Sequence, residues 1–211
     1  MGNILKPIKN KDQQLSELAQ QVAALDSSPL YKIRIENNYK PVFGEGNPDA
    51  NIMFIGEAPG AQEAETGRPF VGRAGKHLDS LLRSIDLQRD DVYITNIIKD
   101  RPPDNRNPRV QEIEIYSPFL REQIAIIQPK IIATLGRFAM EFIFTLFQLP
   151  LNGKKIGEIH GTALHTFSEL GETTIFPLYH PAAVFYNRKL EAALKTDFVI
   201  LKKLAWSAGY L

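Results

Sequence analysis

From residue 51 onward, apolar residues fall into short unbroken runs that alternate with longer stretches of helical period. The runs are "IMFI" within 51–56, "VYIT" at 92–95, "KIIATL" at 130–135 and "TIFPLY" at 174–179. Such brief, continuously apolar runs predict strands buried on both faces. Between them, Leu78, Leu81, Leu82 and Ile85 recur at the spacing of one helix face. Residues 109–127 read as a helix opened by Pro108, and 137–148 as another with Phe138, Phe142 and Leu146. A last helix over 188–205 carries Leu190, Leu194, Phe198, Leu201 and Leu204. Ahead of the alternation, Leu15, Leu18, Val22 and Leu25 predict an amphipathic helix over 11–25, followed by an irregular, turn-rich segment to 49. Residues 156–167 read as hairpin-like.

Strands alternating with helices predict right-handed crossovers and an α/β fold with a four-stranded parallel sheet covered on both faces. With 211 residues, 44% of them hydrophobic, the chain is long enough for one buried core and short for two, so a single domain over 1–211 is expected. In open α/β sheets, ligands bind outside the carboxyl ends of the strands. Four segments follow those ends: 56–72 "GEAPGAQEAETGRPFVG", 95–108 "TNIIKDRPPDNRNP", 136–140 "GRFAM" and 180–187 "HPAAVFYN". The topology therefore brings Glu57, Glu63, Phe70, Asn96, Asn105 and His180 to one edge, although no single motif does.

The segment 56–72 resembles a phosphate-binding turn but matches neither the dinucleotide fingerprint nor the nucleotide loop. Phe70 lies in a Gly/Pro-rich loop, where it is either a satellite core contact or a stacking face for a planar ligand. Asn96 is either a turn former or a paired hydrogen-bond partner for the edge of a pyrimidine. His180 stands at a strand's carboxyl end, which favours function, whereas His77, His160 and His165 read as ordinary. Glu57 and Glu63 are candidate general bases, loop braces or metal ligands. No His or Asp clusters beside them, so no metal is expected.

Composition narrows the classes further. Twenty-five basic residues against 24 acidic give a net charge of +1, which neither announces nor excludes a nucleic-acid partner. Arg68, Arg73, Lys76, Lys99, Arg101, Arg106, Arg109 and Arg188 surround the loops as either a solvated rim or a phosphate grip. The chain has no cysteine, which rules out disulfides, thiolate metal sites and cysteine-ligated iron–sulfur clusters. The opening "MGNILKPIKN" lacks the apolar core of a signal peptide, and Lys6 stands where myristoylation wants Ser or Thr. No apolar run approaches the roughly 18 residues that span a bilayer, so a soluble, cytoplasmic protein without membrane contact is expected.

In order along the chain, "GEGNPDANIMFIGEAPG", "TGRPFVGRAGKHLD", "VYITNIIKDRPPDNRNP", "QPKIIATLGRFA" and "YHPAAVFYN" resemble the family-4 uracil-DNA glycosylases of bacteria and archaea, from about residue 28 to 205. The resemblance implies a three-layer α/β/α sandwich and excision of uracil from single- or double-stranded DNA without a diffusible cofactor. It further implies a monomer that associates with the nucleoid when acting. By position, Phe70 would stack on the flipped uracil, Asn96 would bond its edge, and His180 would donate toward uracil O2 as the glycosidic bond breaks. Gly56, Ala58, Pro59 and Gly60 would shape the pocket and place the attacking water. Ala58 offers no carboxylate, so the chemistry is expected to be driven by the leaving group, with Glu57 or Glu63 orienting water or bracing the loop. A pairing of Glu63 with Asn105 is expected. The DNA-contacting positions would be Arg68, Arg73, Arg101 and Arg106, with Pro181, Ala182, Val184 and Phe185 as an apolar wedge. Family members carry a four-iron cluster on four cysteines; the aligned residues here are Leu25, Ser28, Asp100 and Tyr116. Apolar packing and hydrogen bonds are expected in the cluster's place, filled by Leu25 and Tyr116. Two alternatives stay open: a shifted preference toward hypoxanthine or mismatched thymine, and a non-catalytic DNA-binding relative.

Overall fold

The computed structural model describes residues 10–150 and 153–210. The reading of the opening "MGNILKPIKN" as free of a targeting segment falls on residues 1–9, outside the described residues. The chain begins with α1 (Lys11–Ala23), whose first turn is closed by the Asn10 side chain accepting from the Gln13 N–H at 2.8 Å. It buries Leu15, Leu18 and Val22, three of the four residues that predicted it.

The segment expected to be irregular contains a short helix, α2 (Tyr31–Glu36), and a two-residue strand, β1 (Glu45–Gly46). The alternation follows: β2 (Ile52–Gly56), α3 (Ala61–Thr66), α4 (Arg73–Arg83), β3 (Tyr93–Asn96), α5 (Val110–Ile127), β4 (Ile131–Leu135) and α6 (Arg137–Leu146). Next come the single turn α7 (Ile156–Ile159), β5 (Leu164–Ser168), β6 (Gly171–Leu178) and α8 (Leu190–Ser207). The hairpin is therefore β5 with β6, whereas 156–159 coils into a helical turn.

The sheet has six strands in the order β1-β3-β2-β4-β6-β5 and is mixed. The pairings of β2 with β3, β2 with β4, and β4 with β6 are parallel. Antiparallel β1 and β5 add the two edges, which the expected four-stranded parallel sheet lacked. Their signals are weak for a physical reason. Glu45–Gly46 is too short to show a period, and β5 alternates half-exposed and exposed positions instead of forming an apolar run.

Alternation along β2 explains its apolar composition. Ile52 and Phe54 join one cluster with α4 and α8 residues such as Leu78, Leu81, Leu194 and Phe198. Met53 and Ile55 join a second cluster with Leu15, Val22, Tyr116, Leu120 and Ile143 from α1, α5 and α6. A strand buried on both faces has no use for polar side chains. Among the described residues, no helix is long and apolar enough to cross a membrane.

Candidate active site

The carboxyl ends of β2 and β3 lie side by side, with Gly56 in register with Asn96. The two following loops stay joined by Ile97 N–H to Gly56 C=O at 2.9 Å and Ile98 N–H to Glu57 C=O at 3.2 Å. Asn96 is buried, and its Oδ1 has no hydrogen-bond partner among the described residues. An unsatisfied buried acceptor costs about 1–3 kcal/mol, so such an atom marks a place where a donor belongs. A Cβ added to Gly56 would sit 2.4 Å from that Oδ1 and 2.6 Å from the Phe70 ring, so only glycine fits between them. The Phe70 ring centroid lies 5.8 Å from that of His180. Phe70, Asn96 and His180 thus converge as the topology predicted.

His180 follows β6 directly and opens a short 3₁₀ turn, Pro181–Phe185. Its Nδ1 accepts from the Ala182 N–H at 3.1 Å, which leaves the proton of the neutral ring on Nε2. Burial drives its pKa down to about 4, against the opposing charge of Glu63. The ring is therefore a neutral Nε2–H donor at physiological pH. Because the folded pKa lies below the unfolded value near 6.5, unfolded chains bind the extra proton between those limits. The stability that the neutral ring contributes is thus complete above about pH 6.5 and is lost as pH falls toward 4. An NMR titration of His180 is expected to show a midpoint near 4, and a midpoint at 6 or above (roughly the unperturbed value) would contradict this environment.

The two glutamates have different surroundings. Glu63 Oε1 accepts the N–H groups of Val71 and Gly72 at 2.9 and 2.8 Å, bracing the loop that carries Phe70 at the start of α4. The expected Glu63–Asn105 pair does not form. Asn105 is exposed in a left-handed turn (φ 52°), and its Oδ1 accepts from Arg101 Nε at 2.9 Å. Glu57 is half-buried at the head of the loop; burial raises its pKa, opposed by the charge of Arg137. Ala58 packs on the core and Pro59 is buried, so this turn is a wall rather than a charged lip.

Four of the eight expected rim cations, Arg68, Lys99, Arg101 and Arg106, are already engaged by polar partners. Arg68 forms a two-point contact with Glu45, and Arg106 does the same with the buried Glu112 at 2.9 and 2.5 Å. Arg101 donates to the Tyr39 hydroxyl at 2.7 Å. Lys99 is not at the rim at all. It is fully buried, with Nζ donating to Thr95 Oγ1, the Asn96 carbonyl and Gln123 Oε1 at 2.8, 2.8 and 2.5 Å. Burial lowers its pKa well below the ordinary lysine value. Arg73 is exposed and stacks 3.8 Å above the Phe185 ring, with no carboxylate partner among the described residues.

Within the 180–187 loop, Pro181 and Val184 are buried and Val184 belongs to the core, so neither forms an exposed wedge. The exposed aromatic is Tyr186, 92% accessible, which sequence reasoning did not single out. A tyrosine in "FYN" carries no signal of orientation; the 3₁₀ turn decides which residues face inward. Arg89 was also missed, and it bonds the backbone of the Phe70 loop.

The positions aligned with the cluster cysteines form a buried polar network. Tyr116 Oη donates to Asp100 Oδ2 at 2.6 Å and contacts Ser28 Oγ at 2.9 Å. Arg34 Nη1 lies 3.2 Å from both Asp100 oxygens and also reaches the Val22 carbonyl. Its Nη2 donates to the Ala23 carbonyl at 2.8 Å. Burial raises the Asp100 pKa, against the hydrogen bond from Tyr116 and the charge of Arg34. Tyr116 is fully buried and hydrogen-bonded here as expected, whereas Leu25 is only partly buried and a buried Arg34–Asp100 ion pair, which was not expected, joins the network. A four-iron cluster is held by thiolates, and a chain without cysteine does not fit one. Among the described residues, no group of three or more His, Asp or Glu is placed to hold a metal ion.

The sequence of the Uracil DNA glycosylase superfamily, as a family pattern, matches residues 43–202. The chain is 43% identical over 192 residues to a type-4 uracil-DNA glycosylase of Sulfurisphaera tokodaii, covering 90% of this chain and 84% of that protein. It is 40% identical over 186 residues to the type-4 enzyme of Archaeoglobus fulgidus, covering 88% and 90%. It is 38% identical over 183 residues to that of Thermotoga maritima, covering 86% and 88%. The matched span runs from just before β1 into α8 and takes in Gly56, Phe70, Asn96 and His180, so the chain belongs to the uracil DNA glycosylase superfamily.

Proposed function

We propose that this protein is a monofunctional uracil-DNA glycosylase that excises uracil from DNA and leaves an abasic site in base excision repair. The observation that carries the reading is the buried Asn96 amide, with its Oδ1 unpartnered, beside Phe70 and at the register position of Gly56. An amide offers one acceptor and two donors, which complement the N3–H and O4 of uracil. Phe70 supplies the stacking face for the flipped base.

His180 is the proposed donor to uracil O2, where negative charge grows as the N-glycosidic bond breaks. A neutral Nε2–H needs no counter-charge before the reaction and gains strength as that charge develops. With Ala58 at the head of the loop, departure of the uracil anion leads, and water then adds to the sugar cation. Glu63 is occupied by the loop backbone, so Glu57 is the better candidate to orient that water. Arg73, stacked on Phe185, and the exposed Tyr186 of the same 180–187 loop are the proposed DNA contacts. The protein would act inside the cell as a single-domain monomer, on either strand form, without a cofactor.

Incubation with single- and double-stranded oligonucleotides that contain one uracil, followed by alkaline cleavage, tests this function. Strand scission at the uracil is expected, and its absence on every uracil substrate would overturn the reading. Hypoxanthine and mismatched thymine substrates reveal a shifted base preference in the same assay. Asn96→Ala is expected to slow excision at least about tenfold, equivalent to about 1.4 kcal/mol of barrier, with the fold retained. Full activity in that variant would remove Asn96 from base recognition.

A further inference from the structure

We propose that Arg89 is a positioning residue for the Phe70 base platform, an inference that rests on the uracil-excision reading above. Phe70 has a left-handed backbone (φ 51°), a conformation that costs a non-glycine residue and persists only where the surroundings enforce it. The residue is 6% exposed, and its ring lies over Gly56. Something must hold the backbone while the ring meets a base.

Arg89, just before β3, supplies the hold. Its Nη1 donates to the Phe70 carbonyl at 3.0 Å and its Nη2 to the Pro69 carbonyl at 2.5 Å. The guanidinium is itself fixed on the other side. Nε and Nη2 donate to Glu45 Oε1 at 2.9 and 2.5 Å, and Nη1 donates to Asp79 Oδ1 at 2.9 Å. These five contacts match the five N–H groups that a guanidinium possesses. The planar fork therefore links β1, α4 and the Phe70 loop with no donor unused.

The N–H side of the same loop is held by Glu63 through Val71 and Gly72, so the carbonyls of 69 and 70 and the amides of 71 and 72 are gripped from opposite residues. Helix α4 closes against this loop at Gly75, where a Cβ would fall 1.7 Å from the Phe70 carbonyl oxygen. A cleft of about 580 Å³, lined by Glu45, Arg68, Asp79 and Arg89 among others, adjoins the loop at this clamp. The charges of these four residues are paired with one another. A lysine would keep the charge but not the fork, because a point ammonium has three donors and no fixed plane.

A double-substitution cycle tests the role. Excision under single-turnover conditions is measured for wild type, Arg89→Lys, Phe70→Ala and the double variant, with inhibition by free uracil and thermal melting in parallel. Arg89→Lys is expected to lower the rate about tenfold, a loss of positioning of roughly 1.4 kcal/mol, and to weaken uracil inhibition by a similar factor. In the Phe70→Ala background the same change is expected to cost less than about twofold, since no platform remains to be positioned. Equal losses in both backgrounds, or unchanged uracil inhibition, would overturn the proposal and leave Arg89 a fold brace only. If Arg89→Lys does not fold, Asp79→Asn loosens one anchor of the guanidinium and the same criteria apply. A wild type that releases no uracil defeats the functional reading itself, whereas an active wild type with additive losses defeats this inference alone.

Discussion

Replacing His180 with alanine is expected to slow uracil release by about 10²–10³-fold, the range for loss of one preorganised donor to a developing anion. The ring's environment argues for a contribution of that size. Nδ1 is held by the Ala182 N–H, so the neutral tautomer presents Nε2–H without a reorganisation step. Burial keeps the ring uncharged, with a pKa of about 4, so its donor character does not change across the neutral range. The wild-type rate should therefore show no titration attributable to this histidine between about pH 6 and 8. Single-turnover rates of wild type and variant, with melting curves as the folding control, provide the measurement. A loss below about threefold, or a variant whose pH profile differs from wild type near neutrality, would reassign His180 to a structural role.

The second large effect concerns stability. Asp100→Ala is expected to destabilise the fold by about 3–5 kcal/mol, because it leaves the Arg34 guanidinium buried without its counter-charge. For a chain of this size that corresponds to a melting temperature lower by on the order of 10 °C. The same substitution removes the acceptor of the Tyr116 hydroxyl. Tyr116→Phe deletes only that hydroxyl and is expected to cost less, about 1–2 kcal/mol. Denaturant unfolding of the three proteins orders these losses. A drop of less than about 1 kcal/mol for Asp100→Ala would show that the network does not carry the tether between the α1–α2 segment and the 97–108 loop.

Much of the site was legible because strand ends are legible. Four continuously apolar runs located the parallel strands, and parallel topology brings the residues after their carboxyl ends together. Gly56, Phe70, Asn96 and His180 met on that account, not through any local motif. The edge strands were less readable, since β1 is two residues long and β5 lacks a buried run. Charged residues were the least readable. Glu63 turned to the amides of Val71 and Gly72 instead of Asn105, Arg106 to Glu112, and Lys99 inward to the Asn96 carbonyl.

By itself, the sequence determined the α/β alternation, the absence of any thiolate ligand and the types of residue available at the carboxyl edge. Those properties follow from local hydrophobic period and from composition, which need no knowledge of distant neighbours. Only the tertiary structure decided which carboxylate braces the Phe70 loop, which arginine grips its carbonyls, and how Arg34, Asp100, Tyr116 and Ser28 join. Those pairings connect residues up to 88 positions apart in the chain. Long polar side chains reach partners set by packing and strand register, and such partners leave no periodic trace in the sequence.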